Sequence, residues 1–353
     1  MRIAMISTPF LSVPPRDYGG TELVVHELVE GLTRRGHRVT LFATGDSRTS
    51  ARLRAVFPCA QWPPEVLADI NHVSWAMQQV ALGTYDVVHA HSAVALALRR
   101  LVPTPPLVYT LHHERNQPLS EFYGHCHEAH FVAISADQAG REIRLPRLSV
   151  IHHGLDPSRF RWTERPADYV CFVSRLGKVK GPHTAIDVSA RAGVPIRLAG
   201  GVHPPDREFV ERELSWRLGQ PHVSYLDSIG TDVKVPLLRD ARALLAPIAW
   251  NEPFGLILIE AMLSGCPVVA FRRGSVPELV EPGVTGFIAD SEEEMAELIR
   301  PGGAIHGFDR GRCRERAMER FSSDRMVTEY ERLYERLATG TPLRHGGSPS
   351  RVA

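Results

Sequence analysis

The chain has no CxxC pair. Its five cysteines, Cys59, Cys126, Cys171, Cys266 and Cys313, are odd in number and scattered, which excludes a disulfide-stapled scaffold and predicts separate free thiols in a reducing cytoplasm. It also lacks net charge, since Lys+Arg 41 against Asp+Glu 40 leaves +1, so nucleic acid is not an implied partner. No apolar run approaches the ~20 residues of a membrane span; VALALRRLV breaks at Arg99 and Arg100. At most a peripheral membrane contact remains. MRIAMIS reads as a strand rather than a charged leader with an apolar stretch and cleavage site, which favours a cytoplasmic location. The missing GxGxxG after that strand argues against a nicotinamide dehydrogenase.

What is present is an alternation. A chain of 353 residues suits two domains of ~150 residues each. In the first half RIAMIS, RVTLFA, DVVHAH, LVYTLH, FVAIS and SVIHH are short apolar runs suited to buried strands. Between them lie helical patterns such as TELVVHELVEGLTRRG, stopped by Gly36. YVCFVS, PIRLAG, HVSYL, RALLAPI and PVVAF repeat the pattern in the second half. Buried strands joined by crossover helices imply parallel sheets with a ligand crevice at the strands' carboxyl ends. The expected fold is α/β, with two doubly wound Rossmann-like domains facing a cleft. Boundaries fall at 1–153, a turn-rich linker at 154–168, a second domain at 169–309, terminal helices at 310–338, and a loose tail at 339–353. The last helix is expected to pack back on the first domain.

WNEPFGLILIEAML places Glu252 and Glu260 around an apolar run. Pro253 suits a first helical turn and keeps Glu252 outside it. The N–H groups of Phe254, Gly255 and Leu256 then form a candidate anion site at the positive end of the helix. Glu260, about 7.5 Å further along the axis, leans back toward the same mouth. Two carboxylates beside a phosphate site make sense if they bind the hydroxyls on either side of a diphosphate, as in a nucleotide sugar. Otherwise Glu252 merely favours the helix dipole and Glu260 meets solvent. FVSRLGKVKGP adds Arg175 and Lys180 on a loop at the end of the second domain's first strand. They are cations suited to two phosphate oxygens, although alone the loop reads as a solvated basic turn.

With these residues in hand, the sequence resembles the retaining GT-B glycosyltransferases of family 4. EPFGLILIEAM and RLGKVKG carry the likeness, and GGTELVVHELVEGLTRRGHRVTLFA, DVVHAHS, TLHH, VIHHGLD, LAGG and PELVEPGVTGFI follow in the family's order. The resemblance implies that Arg175 and Lys180 bind the donor diphosphate, Glu252 the sugar and Glu260 the ribose. It also implies that the loop of Gly19 and Gly20 borders donor and acceptor, and that His112 is the active-site histidine. Metal and cofactor are not expected; the substrates are a nucleotide-diphosphate sugar and an unidentified small-molecule, glycan or lipid-linked acceptor. VIHHGLD has His152 and His153 where Pro-Asn is commoner, a form shared with the branch containing orthosomycin-antibiotic glycosyltransferases.

Nine of the 17 histidines lie between His89 and His153, but HCHEAH lacks HExxH spacing and matches no zinc motif. His91, like His112, sits at a strand end, where crevice residues belong. Arg272 and Arg273 are candidates for an anionic acceptor or a solvated turn. The rival functions are a nucleotide-sugar epimerase and a non-catalytic nucleotide-sugar-binding protein.

Overall fold

Thirteen short strands build two parallel sheets in a computed structural model that describes residues 1–16 and 19–340. The tail assigned to 339–353 lies, from 341 onward, outside the described residues. The first sheet contains β1 (Arg2–Ile6), β2 (Arg38–Phe42), β3 (Arg52–Arg54), β4 (Val87–Ala90), β5 (Leu107–Thr110), β6 (His130–Ala133) and β7 (Leu148–Val150) in the order β3-β2-β1-β4-β5-β6-β7. The second contains β8 (Val170–Val173), β9 (Ile196–Ala199), β10 (Val223–Tyr225), β11 (Leu244–Ala246), β12 (Val268–Phe271) and β13 (Gly286–Ala289) in the order β10-β9-β8-β11-β12-β13. Both are doubly wound. The central strands are buried along their whole length, β4 and β5 at every residue, which is why they read as unbroken apolar runs.

Each sheet carries a core on each face. Ile3, Met5, Leu41 and Val87 pack under the helix Gly20–Arg34, whereas Ala4, Ile6, Phe42 and Val88 meet Val73, Ala76 and Met77 of the helix Val66–Leu82. Cys171, Leu244 and Val268 lie with Ile259 and Met262 of the helix Leu256–Leu263, and the opposite face holds Val170, Leu198 and Ala185.

The chain passes between the domains twice. Leu155 N–H donates to Phe321 O and Ser323 N–H to Leu155 O, both at 2.9 Å, so the two passages lie side by side. A Cβ on Gly154 would stand 2.3 Å from Ser322 O, so only glycine permits this approach. The final helix, Ser323–Ala338, then lies on the first domain. Its Met326, Val327, Tyr330, Leu333 and Tyr334 complete the core beneath the helix Gly20–Arg34, burial that stabilises by about 2 kcal/mol per side chain.

Candidate active site

In a doubly wound sheet, the strands on either side of the point where the order reverses leave a crevice at their carboxyl ends. In the second sheet these strands are β8 and β11. The loop after β8 carries Arg175 and Lys180; the loop after β11 carries Trp250 to Gly255. Ala249 N–H donates to Val179 O at 2.9 Å and ties them together.

Lys180 and Glu252 are in direct contact, forming a short ion pair with little exposure of either side chain. Trp250 Nε1 donates to the same carboxylate at 2.9 Å, and Lys180 Nζ lies 4.7 Å from the centre of the Trp250 ring. Two residues expected to hold opposite parts of one ligand thus neutralise each other, as a buried charge without a partner is costly. Glu260 has a similar arrangement: it is 4% exposed and accepts from Lys234 Nζ at 2.8 Å. Arg175 Nε lies 3.2 Å from Asp206 Oδ2, but without hydrogen-bond alignment, so neither buried atom has a hydrogen-bond partner.

The wall from the first domain is a stack of histidines. His89 is held at Nδ1 by Tyr334 OH (2.6 Å) and at Nε2 by Thr110 Oγ1 (2.8 Å), and Thr110 Oγ1 also meets Tyr330 OH at 2.9 Å. His91 Nδ1 is 2.8 Å from His112 Nε2, and His112 stacks on His153 at 5.6 Å. Burial pushes His89 and His153 down to about 3 and holds His91 and His112 well below the usual histidine range, so all four are neutral at pH 7. Their tautomers follow from their partners. His91 Nε2 faces Met5 Sδ at 3.3 Å, and a thioether sulfur can only accept. His91 Nε2 therefore carries the hydrogen, Nδ1 accepts from His112, and the Nδ1 lone pair of His112 is left to receive a hydroxyl's hydrogen bond.

The walls meet. Phe254 packs edge-on against His153 at 5.0 Å, and a Cβ on Gly20 would lie 3.2 Å from Leu256 Cδ1. At Gly19 a Cβ would meet Leu11 and Pro15 at 2.8 Å. Glu22, in the first turn beyond, is 5% exposed, accepts from Thr8 Oγ1 at 2.5 Å, and is held above the usual carboxylate range by burial. A second bridge runs through Glu278, whose carboxylate accepts from Ala136 N–H at 2.8 Å and Asp137 N–H at 3.2 Å and makes a short contact with His152 Nε2. A second-domain side chain thus caps a first-domain helix, Ala136–Arg141. Glu278→Ala is expected to cost about 1 kcal/mol in urea unfolding and to speed hydrogen exchange at Ala136 and Asp137; unchanged exchange would deny the bridge. Burial pushes the Glu278 carboxyl up, but its hydrogen bonds and the nearby His152 together outweigh it and hold the group below the usual range, so this contribution is present above pH ~4.5 and is lost as pH falls through the lowered value.

Two expectations need correction. The helix after β11 begins at Leu256, capped by Gly255 in the left-handed region (φ 82°), so Pro253 and Phe254 belong to the loop. The free N–H groups of the first turn start at Leu256, and Phe254 serves by burying its ring, 2% exposed, against the histidines. Glu260 faces Lys234 rather than solvent or a bare phosphate mouth. Arg272 is an exposed partner of Asp290 at 3.0 Å, and Arg273 is exposed beside it, as a solvated turn would place them. Lys234 and Glu278 were missed: Lys234 lies in a stretch with a mid-helix Pro236, and Glu278 stands within a quoted motif without a role. Among the described residues, no three His, Cys, Asp or Glu side chains form a group able to hold a metal, and no helix is long and apolar enough to cross a membrane.

Residues 158–301 match the family model "Glycosyl transferases group 1", and residues 18–159 match "Glycosyltransferase Family 4". A D-inositol 3-phosphate glycosyltransferase of Corynebacterium efficiens is 27% identical over 359 residues, covering 83% of this chain and 84% of that protein. Among solved structures, AviGT4, a glycosyltransferase involved in avilamycin A biosynthesis, superimposes with a TM-score of 0.74 at 23% identity, covering 97% of this chain and 99% of its own. Anabaena Alr3699/HepE in complex with UDP and glucose gives a TM-score of 0.74 at 21% identity, covering 95% and 99%.

Proposed function

The chain belongs to the group 1, family 4 glycosyltransferases of GT-B fold, and from that premise we propose that it moves a sugar from a nucleoside diphosphate to an acceptor hydroxyl with retention, without a metal or further cofactor. The observation that carries this reading is the Lys180–Glu252 pair at the second sheet's switch point. A ligand bearing both phosphate and hydroxyls suits the exchange of one internal ion pair for two external contacts: Lys180 turns to the diphosphate and Glu252 to the sugar. In this reading Glu260, held by Lys234, accepts from ribose hydroxyls. A UDP complex of a protein of the same fold is consistent with a nucleotide in this cleft.

As the bond to the leaving diphosphate breaks, negative charge grows on its oxygens and positive character on the sugar. Arg175, Lys180 and the free N–H groups of Leu256 and Ile257 are fixed donors for that charge. The neutral His112 offers Nδ1 to a sugar hydroxyl, so it orients the sugar rather than moving a proton. Phe254 and His153 exclude water from the sugar side, which limits hydrolysis of the donor. Closure about the segment 154–168 would bring the two walls together on the substrate.

Thermal shifts with UDP, GDP, ADP and TDP test the donor site. A nucleotide at ~100 times its dissociation constant adds ~2.7 kcal/mol, and one of the four is expected to stand out. No stabilisation by any would remove the diphosphate from this cleft. Turnover is expected to survive EDTA; loss restored by a divalent ion would refute metal independence. Donor consumption without any acceptor would instead indicate an epimerase.

A further inference from the structure

Far from the cleft, four arginines surround one cavity. Arg2 and Arg38 open β1 and β2, and Arg52 and Arg54 lie on β3. In the parallel register Arg2 sits beside Arg38, Thr40 beside Arg52, and Phe42 beside Arg54. Paired residues of parallel strands share a face, and so do i and i+2 on one strand. All four side chains therefore leave the same face of the sheet. It is the face covered by the helix Val66–Leu82, whose final turn at Gln79 and Leu82 closes a cavity of about 350 Å³. Arg2 and Arg38 mark the amino ends of β1 and β2, roughly 13 Å of strand from the carboxyl ends that form the cleft, and Arg52 and Arg54 lie on the outermost strand, two strands from the switch point beside β1.

The charges are not balanced. Asp86 takes up Arg2, with Nη2 to Oδ1 at 2.7 Å and the backbone N–H to Oδ2 at 2.7 Å. Arg54 lies 5.7 Å over the Trp75 ring. Arg38 and Arg52 have no side-chain partner among the described residues, and no carboxylate lines the cavity. Like charges on laterally neighbouring strands repel, and the nearby negative potential is the carbonyl end of the helix Val66–Leu82, worth only a fraction of one charge. The overall charge of +1 makes this concentration local.

We propose that this cavity is a second anion site, separate from the donor cleft, for a phosphate-bearing compound carrying at least two negative charges. Guanidinium groups in a shallow bowl match phosphate oxygens as planar two-toothed donors. The volume falls within the ordinary range for small-ligand sites and admits a diphosphate or a phosphorylated sugar. A monocarboxylate would leave one of the two unpartnered guanidinium groups unmatched.

The probe is inorganic pyrophosphate, and the test is a melting curve in Lys180→Ala protein, which disables the cleft. At ~100 times its dissociation constant pyrophosphate is expected to raise the melting temperature by roughly 4 °C. Adding Arg38→Gln and Arg52→Gln to that background is expected to abolish the rise. Those two substitutions are also expected to raise the melting temperature at low salt without any anion, an advantage that fades as salt screens the repulsion. No rise in Lys180→Ala protein, or an equal rise after the arginines are replaced, overturns the site. Sedimentation with phosphatidylglycerol vesicles that depends on Arg38 and Arg52 assigns the phosphate to a lipid headgroup. Pyrophosphate binding without sedimentation assigns it to a soluble compound.

Discussion

Lys180→Ala is expected to lower sugar transfer by about 10²–10³-fold, the effect of removing one fixed donor from a developing anion, and to abolish stabilisation by the nucleotide. The substitution acts on two states. In the unliganded protein it leaves the Glu252 carboxylate, 8% exposed, with only Trp250 Nε1 donating to it, which is expected to cost about 3 kcal/mol of stability. With donor bound it removes a cation from the leaving group. Combining Lys180→Ala with Glu252→Gln separates these effects: neutralising the stranded carboxylate is expected to recover most of the stability and none of the turnover. Lys180→Arg is not a rescue, because a longer, planar guanidinium spreads its charge over a fork and does not put a compact point charge where the Lys180 ammonium meets Glu252. Turnover within tenfold of wild type in Lys180→Ala would place the leaving group elsewhere.

Mild acid is expected to unfold the protein far more readily than its near-neutral composition suggests. His72 and His130 are held down to about 4, and His89 and His153 to about 3, in each case by burial. Released by unfolding, each returns to about 6.5 and binds a proton that the native state refuses. The unfolded state thus carries more protons between pH ~6.5 and ~4, and stability falls as pH falls through that window. From pH 7.5 to 5.5 each such histidine removes about 1.4 kcal/mol, about 5 kcal/mol for the four. Glu22, Glu27 and Asp69, raised by burial, offset part of this because they gain protons when folded. Urea midpoints measured across that range check it. A flat profile would mean that water reaches the histidine stack.

How much of this was legible in the sequence depended on where the signal was local. Eleven of the strands stood out as apolar runs because buried parallel strands cannot hide polar side chains on either face. β3, Arg-Leu-Arg at a sheet edge, carries too few apolar residues to register, and β13, Gly-Phe-Ile-Ala, is a short run opened by a glycine that follows other turn formers; pairing with a neighbouring strand defines each. The convergence of Lys180 and Glu252 was legible because both follow strands at the same end of one sheet. Their direct pairing was not, since a sequence gives the address of a charge but not its partner in the empty state. In the sequence Gly255 stands as one N–H donor of the anion site, whereas its left-handed φ also resets where the helix begins. Lys234 and Glu278 act through contacts with residues far along the chain, 26 positions away for Lys234 and 142 for Glu278 at Ala136. No periodicity encodes such distances.

The side-by-side passages at Leu155 and Ser322 mean that the first domain is finished by a helix, Ser323–Ala338, that is synthesised after the whole of the second domain. While the second domain is being synthesised, the strip later covered by Met326, Tyr330 and Tyr334 is open to water, and His89 lacks the phenol that holds its Nδ1. The nascent first domain must therefore wait, partly uncovered, for the whole of the second to emerge. A stop codon near residue 322 would thus damage the half of the protein that it leaves intact in sequence, and chaperone dependence should concentrate in that interval of synthesis.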